Sequence, residues 1–206
     1  VFDLDNTLYP ADSTIYDDIG HRMTAYIARA LDIDAMDALD LRERYYHAYG
    51  ATVVGLMTHH GVSGADFMAD VHDVTVHDVG PNEALNTLIR ALPGRRIVFT
   101  NGARDYAHRI VALIGLADAF ERIVSLEDVG FSPKPNDAAF AKMFDLCEID
   151  PHRAVMFEDH PKNLATAARL GMGTVLVGPQ AQDQGADFGL CAPNLETALK
   201  AMRPPH

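Results

Sequence analysis

The chain has 206 residues, 48% of them hydrophobic, which is enough for one sizeable core or for a core carrying a smaller inserted domain. A net charge of −12 supplies no basic stripe for nucleic acid or an anionic membrane, and it repels a phosphorylated ligand unless a metal or local cations compensate. No apolar run reaches the length of a membrane span and no secretory leader is visible; Cys147 and Cys191, far apart and without ligand-like spacing, predict reduced, unpaired thiols in a cytoplasmic protein.

Val1 and Phe2 open an apolar strand that runs into Asp3 and Asp5. Side chains two apart on a strand point the same way, so both carboxylates can face one site. Like charges that close repel unless a cation lies between them or one is protonated, which suits a divalent metal with a nucleophile and an acid/base. By themselves these residues also fit a strand that ends in an ordinary polar turn. Strands typically run about 5–6 residues, so the native chain is expected to extend further at its N-terminus.

From Ile15, the residues Ile19, Met23, Tyr26, Ile27, Ala30 and Leu31 recur at three- and four-residue steps and predict an amphipathic helix. A second helix is expected over Met36–Tyr49, stopped by Gly50, and a third over Val53–His60, closed by Gly61. Ser63 with Asp66 resembles a capping box and opens a helix through Phe67 and Val71. Residues 11–78 therefore read as an all-helical block.

Strand and helix then alternate. Helices are expected at Pro81–Leu92, with Pro81 at its start, at Asp105–Ile114, Asn136–Cys147, Pro161–Leu170 and Leu195–Met202. Strands are expected at Ile97–Thr100, Arg122–Ser125, Ala154–Phe157 and Thr174–Val177. This pattern predicts an α/β fold with a parallel sheet, right-handed crossovers and a ligand beyond the carboxyl ends of the strands. The polar residues Asp3, Asp5, Thr100, Asn101, Gly102, Glu158 and Asp159 all directly follow strands, and the helical block is inserted where it can hang over the same edge.

Attack on a phosphate ester needs a nucleophile, a proton donor for the leaving oxygen, a metal and donors to the nonbridging oxygens. Asp3 can be the nucleophile and form an aspartyl-phosphate; Asp5 can protonate the leaving group and then activate water. Asp159 offers a further carboxylate for Mg²⁺, with Glu158 holding a metal-bound water. Thr100, Asn101 and Gly102 can bind phosphate through a hydroxyl and backbone N–H groups, or can simply cap the following helix. Lys134, held between Pro133 and Pro135, can stabilise phosphate charge and keep the carboxylates ionised, although a lone lysine is more often a solvated surface group.

The order Asp3-x-Asp5-x-Thr7, then Thr100 after an apolar strand, Lys134 before Pro135, and Glu158-Asp159 after another strand resembles the haloacid dehalogenase superfamily over nearly the whole chain. That resemblance implies a Rossmann-like core at residues 1–10 and 79–206 and an inserted all-helical C1 cap at residues 11–78. It implies Mg²⁺ bound by Asp3, the backbone carbonyl of Asp5, and Asp159. The dehalogenases of the superfamily lack the second aspartate, so Asp5 groups this chain with the phosphotransferases. Asp5-Asn6-Thr7-Leu8-Tyr9, the run Tyr45-Tyr46-His47-Ala48-Tyr49-Gly50, and Gly55-Leu56 are similar to the pyrimidine 5′-nucleotidase-like subgroup. His160 departs from the serine frequent at its position, and Glu158 from the aspartate this subgroup more often carries.

Substrate selection is expected from the inserted block. Tyr45, Tyr46 and Tyr49 can stack on a base or ribose, or can form the block's own small core. Arg22, His47 and Thr52 are candidate polar contacts. His59, His60, His72 and His77 lack metal-ligand spacing and are expected to be solvated or capping. The expected activity is Mg²⁺-dependent hydrolysis of a small phosphorylated metabolite, with a 5′-nucleotide leading, by a monomer or homodimer that binds neither nucleic acid nor membrane. The alternatives are a phosphoryl mutase of the β-phosphoglucomutase type and a non-catalytic binder of phosphorylated metabolites.

Overall fold

The computed structural model describes residues 1–179, 181 and 188–202. Its sheet is parallel. Strand β1 (Ile97–Phe99) pairs with β2 (Arg122–Val124), and β3 (Val155–Glu158) pairs with β4 (Gly173–Val177), which pairs with β5 (Leu190–Ala192). The N-terminal residues join the two halves. The Phe2 N–H donates to the Ile97 carbonyl and the Phe99 N–H to the Phe2 carbonyl, each at 2.8 Å. On the other side the Asp3 N–H donates to Phe157 at 2.9 Å, and the Phe157 N–H to Val1 at 3.0 Å. Phe2 thus bridges Val98 and Phe157 in parallel and places the first residues at the centre of the sheet. This central place explains why Phe2 and Leu4 are buried and why the Phe2 ring stacks on Phe157 at 4.6 Å. Burying a side chain of this size contributes about 1.5–3 kcal/mol.

The helical block contains α1 (Ile15–Leu31), α2 (Ala35–Tyr49), α3 (Thr52–His60) and α4 (Gly64–Val71). Ile15, Ile19 and Ile27 of α1 are buried, as are Leu41 and Tyr45 of α2, Leu56 of α3 and Phe67 of α4. Asp34 accepts the Met36 and Asp37 N–H groups at 2.9 Å each, which fixes the start of α2. At Gly55 an added Cβ would fall 2.3 Å from the Tyr45 ring, so only glycine allows α2 and α3 to approach this closely. The segments leaving and re-entering the sheet are tied together by the Thr14 N–H, which donates to Asp78 at 2.6 Å.

The remaining helices are α5 (Glu83–Arg90), α6 (Arg104–Leu113), α7 (Asp137–Cys147), α8 (Pro161–Arg169) and α9 (Leu195–Ala201). Pro81 lies outside α5, contrary to the expectation from sequence. The Asn82 side chain accepts the Leu85 N–H at 3.1 Å as the N-cap, so the helix begins at Glu83, two residues after Pro81. Strand β5 escaped the sequence reading because Leu190-Cys191-Ala192 is too short to show a period. The loop after β2 reaches up to the helical block. There Phe131, in a left-handed conformation at φ 60°, sets its ring where an added Cβ on Gly64 would lie only 2.8 Å away.

Candidate active site

The carboxyl ends of the central strands carry the expected polar residues. Asp3 follows Phe2, Thr100 follows β1, and Glu158 ends β3 with Asp159 next. Lys134 enters from the loop after β2 and is buried at 2% exposure. Its ammonium donates to Asp3 Oδ1 at 2.5 Å, to Glu158 Oε2 at 2.9 Å and to the Phe99 carbonyl at 2.8 Å. Three donors meet three acceptors, so the ammonium is saturated. Burial alone would push this lysine down, but the charges of Asp3 and Glu158 outweigh it and hold the group protonated. Asn101 fixes the loop. Its side chain accepts the Lys134 N–H at 2.8 Å and donates to the Lys134 carbonyl at 3.1 Å.

One carboxylate oxygen each from Asp3, Glu158 and Asp159 lies within 4.8 Å of the others. Burial, and then the charge of Glu158, push Asp3 above the carboxylate range against the pull of Lys134. Burial, and then Asp3, push Asp159 up to about 6. Burial also raises Glu158. Three crowded carboxylates against one ammonium leave an excess of negative charge, and a hard divalent cation is what such an oxygen set fits. Glu158 is the most committed of the three, because its Oε1 also accepts the His160 N–H at 3.1 Å. Asn6 was not foreseen as part of the site. In a left-handed turn at φ 62°, its amide reaches Asp159 Oδ2 at 3.4 Å.

Asp5 is held differently. The Tyr9 and Tyr106 hydroxyls both donate to its Oδ1 at 2.6 Å and lie 3.1 Å from each other. The Thr100 hydroxyl donates to Oδ2 at 3.3 Å and accepts the Gly102 N–H at 2.9 Å. The donors of Thr100 and Gly102, expected on phosphate, are therefore turned inward. The Asn101 backbone N–H finds no acceptor among the described residues. An added Cβ on Gly102 would lie 3.2 Å from both the Thr100 hydroxyl and the Tyr106 ring, so a larger residue here would push one of them by a few tenths of an ångström.

A cavity of about 870 Å³ separates this edge from the helical block. Of the residues expected to select substrate, Tyr46 and Thr52 line it; Arg22, Tyr45, His47 and Tyr49 do not. Arg22 donates to the Asp70 carbonyl at 2.9 Å, and His47 is exposed. Tyr45 is buried in the block and its hydroxyl pairs with His60 at 2.7 Å, while the Tyr49 hydroxyl pairs with His59. Thr52 is also buried, with its hydroxyl donating to the Arg42 carbonyl at 3.0 Å.

His72, expected to be solvated or capping, caps the end of α4 and is buried while doing so. It bonds the Met68 carbonyl at 3.0 Å, and its ring centre lies 4.9 Å from that of Tyr106. Burial pushes its imidazole down, which keeps it neutral.

The cavity also holds Tyr16 and Arg42, which the sequence reading passed over. Tyr16 leaves 55% of its surface open, yet crowding around its hydroxyl, followed by the charge of Asp5, pushes its phenol up. The signal for Tyr16 was present: it is an aromatic residue set off the Ile15–Ile19–Met23 stripe of α1. Arg42 donates through Nη1 to the Gly20 carbonyl at 2.6 Å and to the Thr24 hydroxyl at 3.1 Å, with no carboxylate within ion-pair distance among the described residues.

Known proteins resemble this chain in sequence and in fold. The chain is 25% identical over 195 residues to phosphate metabolism protein 8 of Saccharomyces cerevisiae, covering 85% of this chain and 60% of that one. It is 25% identical over 170 residues to an (S)-2-haloacid dehalogenase of Xanthobacter autotrophicus, covering 79% of this chain and 66% of that one. It therefore spans less than two thirds of either relative. Among solved structures, a HAD phosphatase from Thermococcus onnurineus superposes with a TM-score of 0.63 at 17% identity, over 98% of this chain and 95% of that one, a likeness of fold. Residues 1–171 match the family model of the haloacid dehalogenase-like hydrolases, and the chain belongs to that family.

Proposed function

We propose that this chain is a Mg²⁺-dependent phosphomonoester hydrolase working through an aspartyl-phosphate. The observation that carries the reading is Asp5, a second carboxylate held in place beside Asp3 at the mouth of the cavity. A departing halide is a weak base and needs no proton donor, whereas a departing alkoxide does. The dehalogenase among the relatives is therefore a poorer guide to this chain than the proteins named for phosphate metabolism and phosphatase activity.

Asp3, Asp159 and the backbone carbonyl of Asp5 would hold Mg²⁺, with Glu158 acting through a water. Bound there, the ion would neutralise charge on the phosphoryl oxygens. Asp3 attacks phosphorus while Asp5 gives a proton to the leaving oxygen. Asp5 then takes a proton from the water that releases phosphate from Asp3. Lys134 holds Asp3 in position, and the free Asn101 N–H is available to a nonbridging oxygen.

Residues 11–78 act as a C1 cap of the pyrimidine 5′-nucleotidase-like subgroup, and the substrate is a 5′-nucleotide. Tyr46 and Tyr16 in the cavity wall support an aromatic, base-bearing leaving group. The test is phosphate release from a panel of nucleoside 5′-monophosphates, sugar phosphates and phosphoglycolate, with Mg²⁺ and with chelator. Release that is Mg²⁺-dependent and highest for nucleotides is expected. No release from any member would overturn the reading, and conversion of a sugar phosphate to its isomer would replace hydrolysis by mutase chemistry.

A further inference from the structure

The phenol pair behind Asp5 has no part in the chemistry described so far. Tyr9 and Tyr106 are buried, at 3% and 1% exposure. They approach from separate parts of the chain: Tyr9 lies in the turn after the central segment, and Tyr106 in the first turn of α6. Their oxygens sit 3.1 Å apart, and both lie 2.6 Å from the same carboxylate oxygen, Asp5 Oδ1. A carboxylate oxygen accepts about two hydrogen bonds, so Oδ1 is filled. A tyrosine hydroxyl carries a proton to donate, and both are directed at Oδ1. Among the described residues Oδ2 meets only the Thr100 hydroxyl, at 3.3 Å, near the outer limit of a hydrogen bond between oxygens.

We infer that Tyr9 and Tyr106 are positioning residues that commit Asp5 Oδ1 and so make Oδ2 the oxygen that exchanges the proton with substrate. This inference rests on the phosphatase reading and deepens it. In the first step the bond from Asp3 to phosphorus forms, the bond from phosphorus to the leaving oxygen breaks, and that oxygen takes its proton from Asp5 Oδ2. In the second step water attacks phosphorus, its proton passes to the same Oδ2, and the bond to Asp3 breaks. A carboxylate clamped at one oxygen cannot rotate to offer the other, so one geometry serves both transfers. Tyr106 also follows Thr100 and Asn101 within one strand–helix turn, so the segment that fixes the Lys134 loop fixes Asp5 as well.

The experiment compares wild type, Tyr9→Phe, Tyr106→Phe and the double variant on two substrates, with Mg²⁺ present. One is p-nitrophenyl phosphate, whose leaving group needs little protonation; the other is an alkyl phosphate, whose leaving group needs it fully. Phenylalanine keeps the ring packing and removes only the donor. For the double variant, kcat/KM on the alkyl phosphate is expected to fall about 10–100-fold, a part of the 10²–10⁴ that general acid catalysis contributes. On p-nitrophenyl phosphate it is expected to change by less than about threefold, which also reports a folded site. Each single variant should fall between wild type and double on the alkyl substrate. Equal losses on both substrates would make the pair merely structural and overturn the inference, as would an undiminished double variant. A wild type inactive on every phosphomonoester would remove the phosphatase reading itself, and this inference with it.

Discussion

At the sheet edge Lys134 gives all three ammonium protons to fixed acceptors, whereas across the same cavity Arg42 binds protein through a single guanidinium nitrogen. The difference extends to neighbouring residues. Asp3, Thr100 and Glu158 are buried and bonded on the sheet side, while Tyr16 and Tyr46 stand 55% and 44% exposed on the helical side. Reacting groups must be held to fractions of an ångström, and saturation by partners achieves that. The groups proposed to meet the variable half of a substrate have open surface. On the proposed function, chemistry and selectivity are divided between the two walls, and substitutions on each should fail in different ways.

The sharpest contrast is expected at Asp3. Asp3→Asn should lower phosphate release by about 10⁴-fold or more while circular dichroism and thermal melting show an intact fold. Substantial residual turnover would remove Asp3 as nucleophile. Next is Lys134→Met, which leaves Asp3 and Glu158 buried without their counter-charge and should destabilise the protein by about 3–5 kcal/mol. Urea unfolding checks it, and a loss under about 1 kcal/mol would mean that the ammonium does not hold the edge together.

A third test uses pH. Asp159 has a folded pKa of about 6, above the unfolded carboxylate value. A proton bound in the folded state therefore stabilises it at low pH, and this contribution is lost as pH rises through about 6. Above that pH the metal-free protein carries the full repulsion. Asp159→Asn should thus raise the stability of chelator-treated protein at pH 8 by about 1–3 kcal/mol, and Mg²⁺ should stabilise wild type but not the variant. Melting curves across pH with and without Mg²⁺ decide it; a variant less stable than wild type at pH 8 would refute the crowding of charge. The smallest effect belongs to the other wall. Tyr46→Ala should raise KM for the preferred substrate about 3–10-fold, with stability and kcat nearly unchanged. A fall in kcat without a change in KM would move Tyr46 to the chemical side of the cavity.

The same division governs what was legible in the sequence. Asp3, Asp5, Thr100, Glu158 and Asp159 could be placed because strand ends bring polar residues to one edge of a parallel sheet, and the spacing of short apolar runs reveals that edge; Lys134 follows no strand and was legible only through the prolines beside it and the family resemblance. The destinations of the Thr100 and Asn101 donors could not be read, because hydrogen-bond partners from distant segments leave no local period. Tyr45 illustrates the difficulty on the helical side. It sits beside Tyr46 in sequence, but a 100° turn of helix separates their directions, so one is buried against Gly55 while the other lines the cavity. Tyr106 was hidden for another reason: helical periodicity accounts for it as a core residue, and its 1% exposure agrees, while its hydroxyl serves Asp5.

The central placing of residues 1–3 carries a consequence for how the protein acquires its site. The contacts that define Asp3 and its surroundings join positions 131 apart for Lys134 and 153 apart for the Asn6–Asp159 pair. Such contacts close very long loops, and their entropy is recovered only when the distant partners are already in place. In synthesis residues 1–3 precede residue 157, but they acquire sheet neighbours on both sides only after Phe157 has arrived. Asp3 is thus made long before residue 157 and is among the last of these residues to be seated. Partly folded chains would hold Asp3 as an ordinary solvated acid, so its buried, charge-crowded environment arises together with completion of the fold.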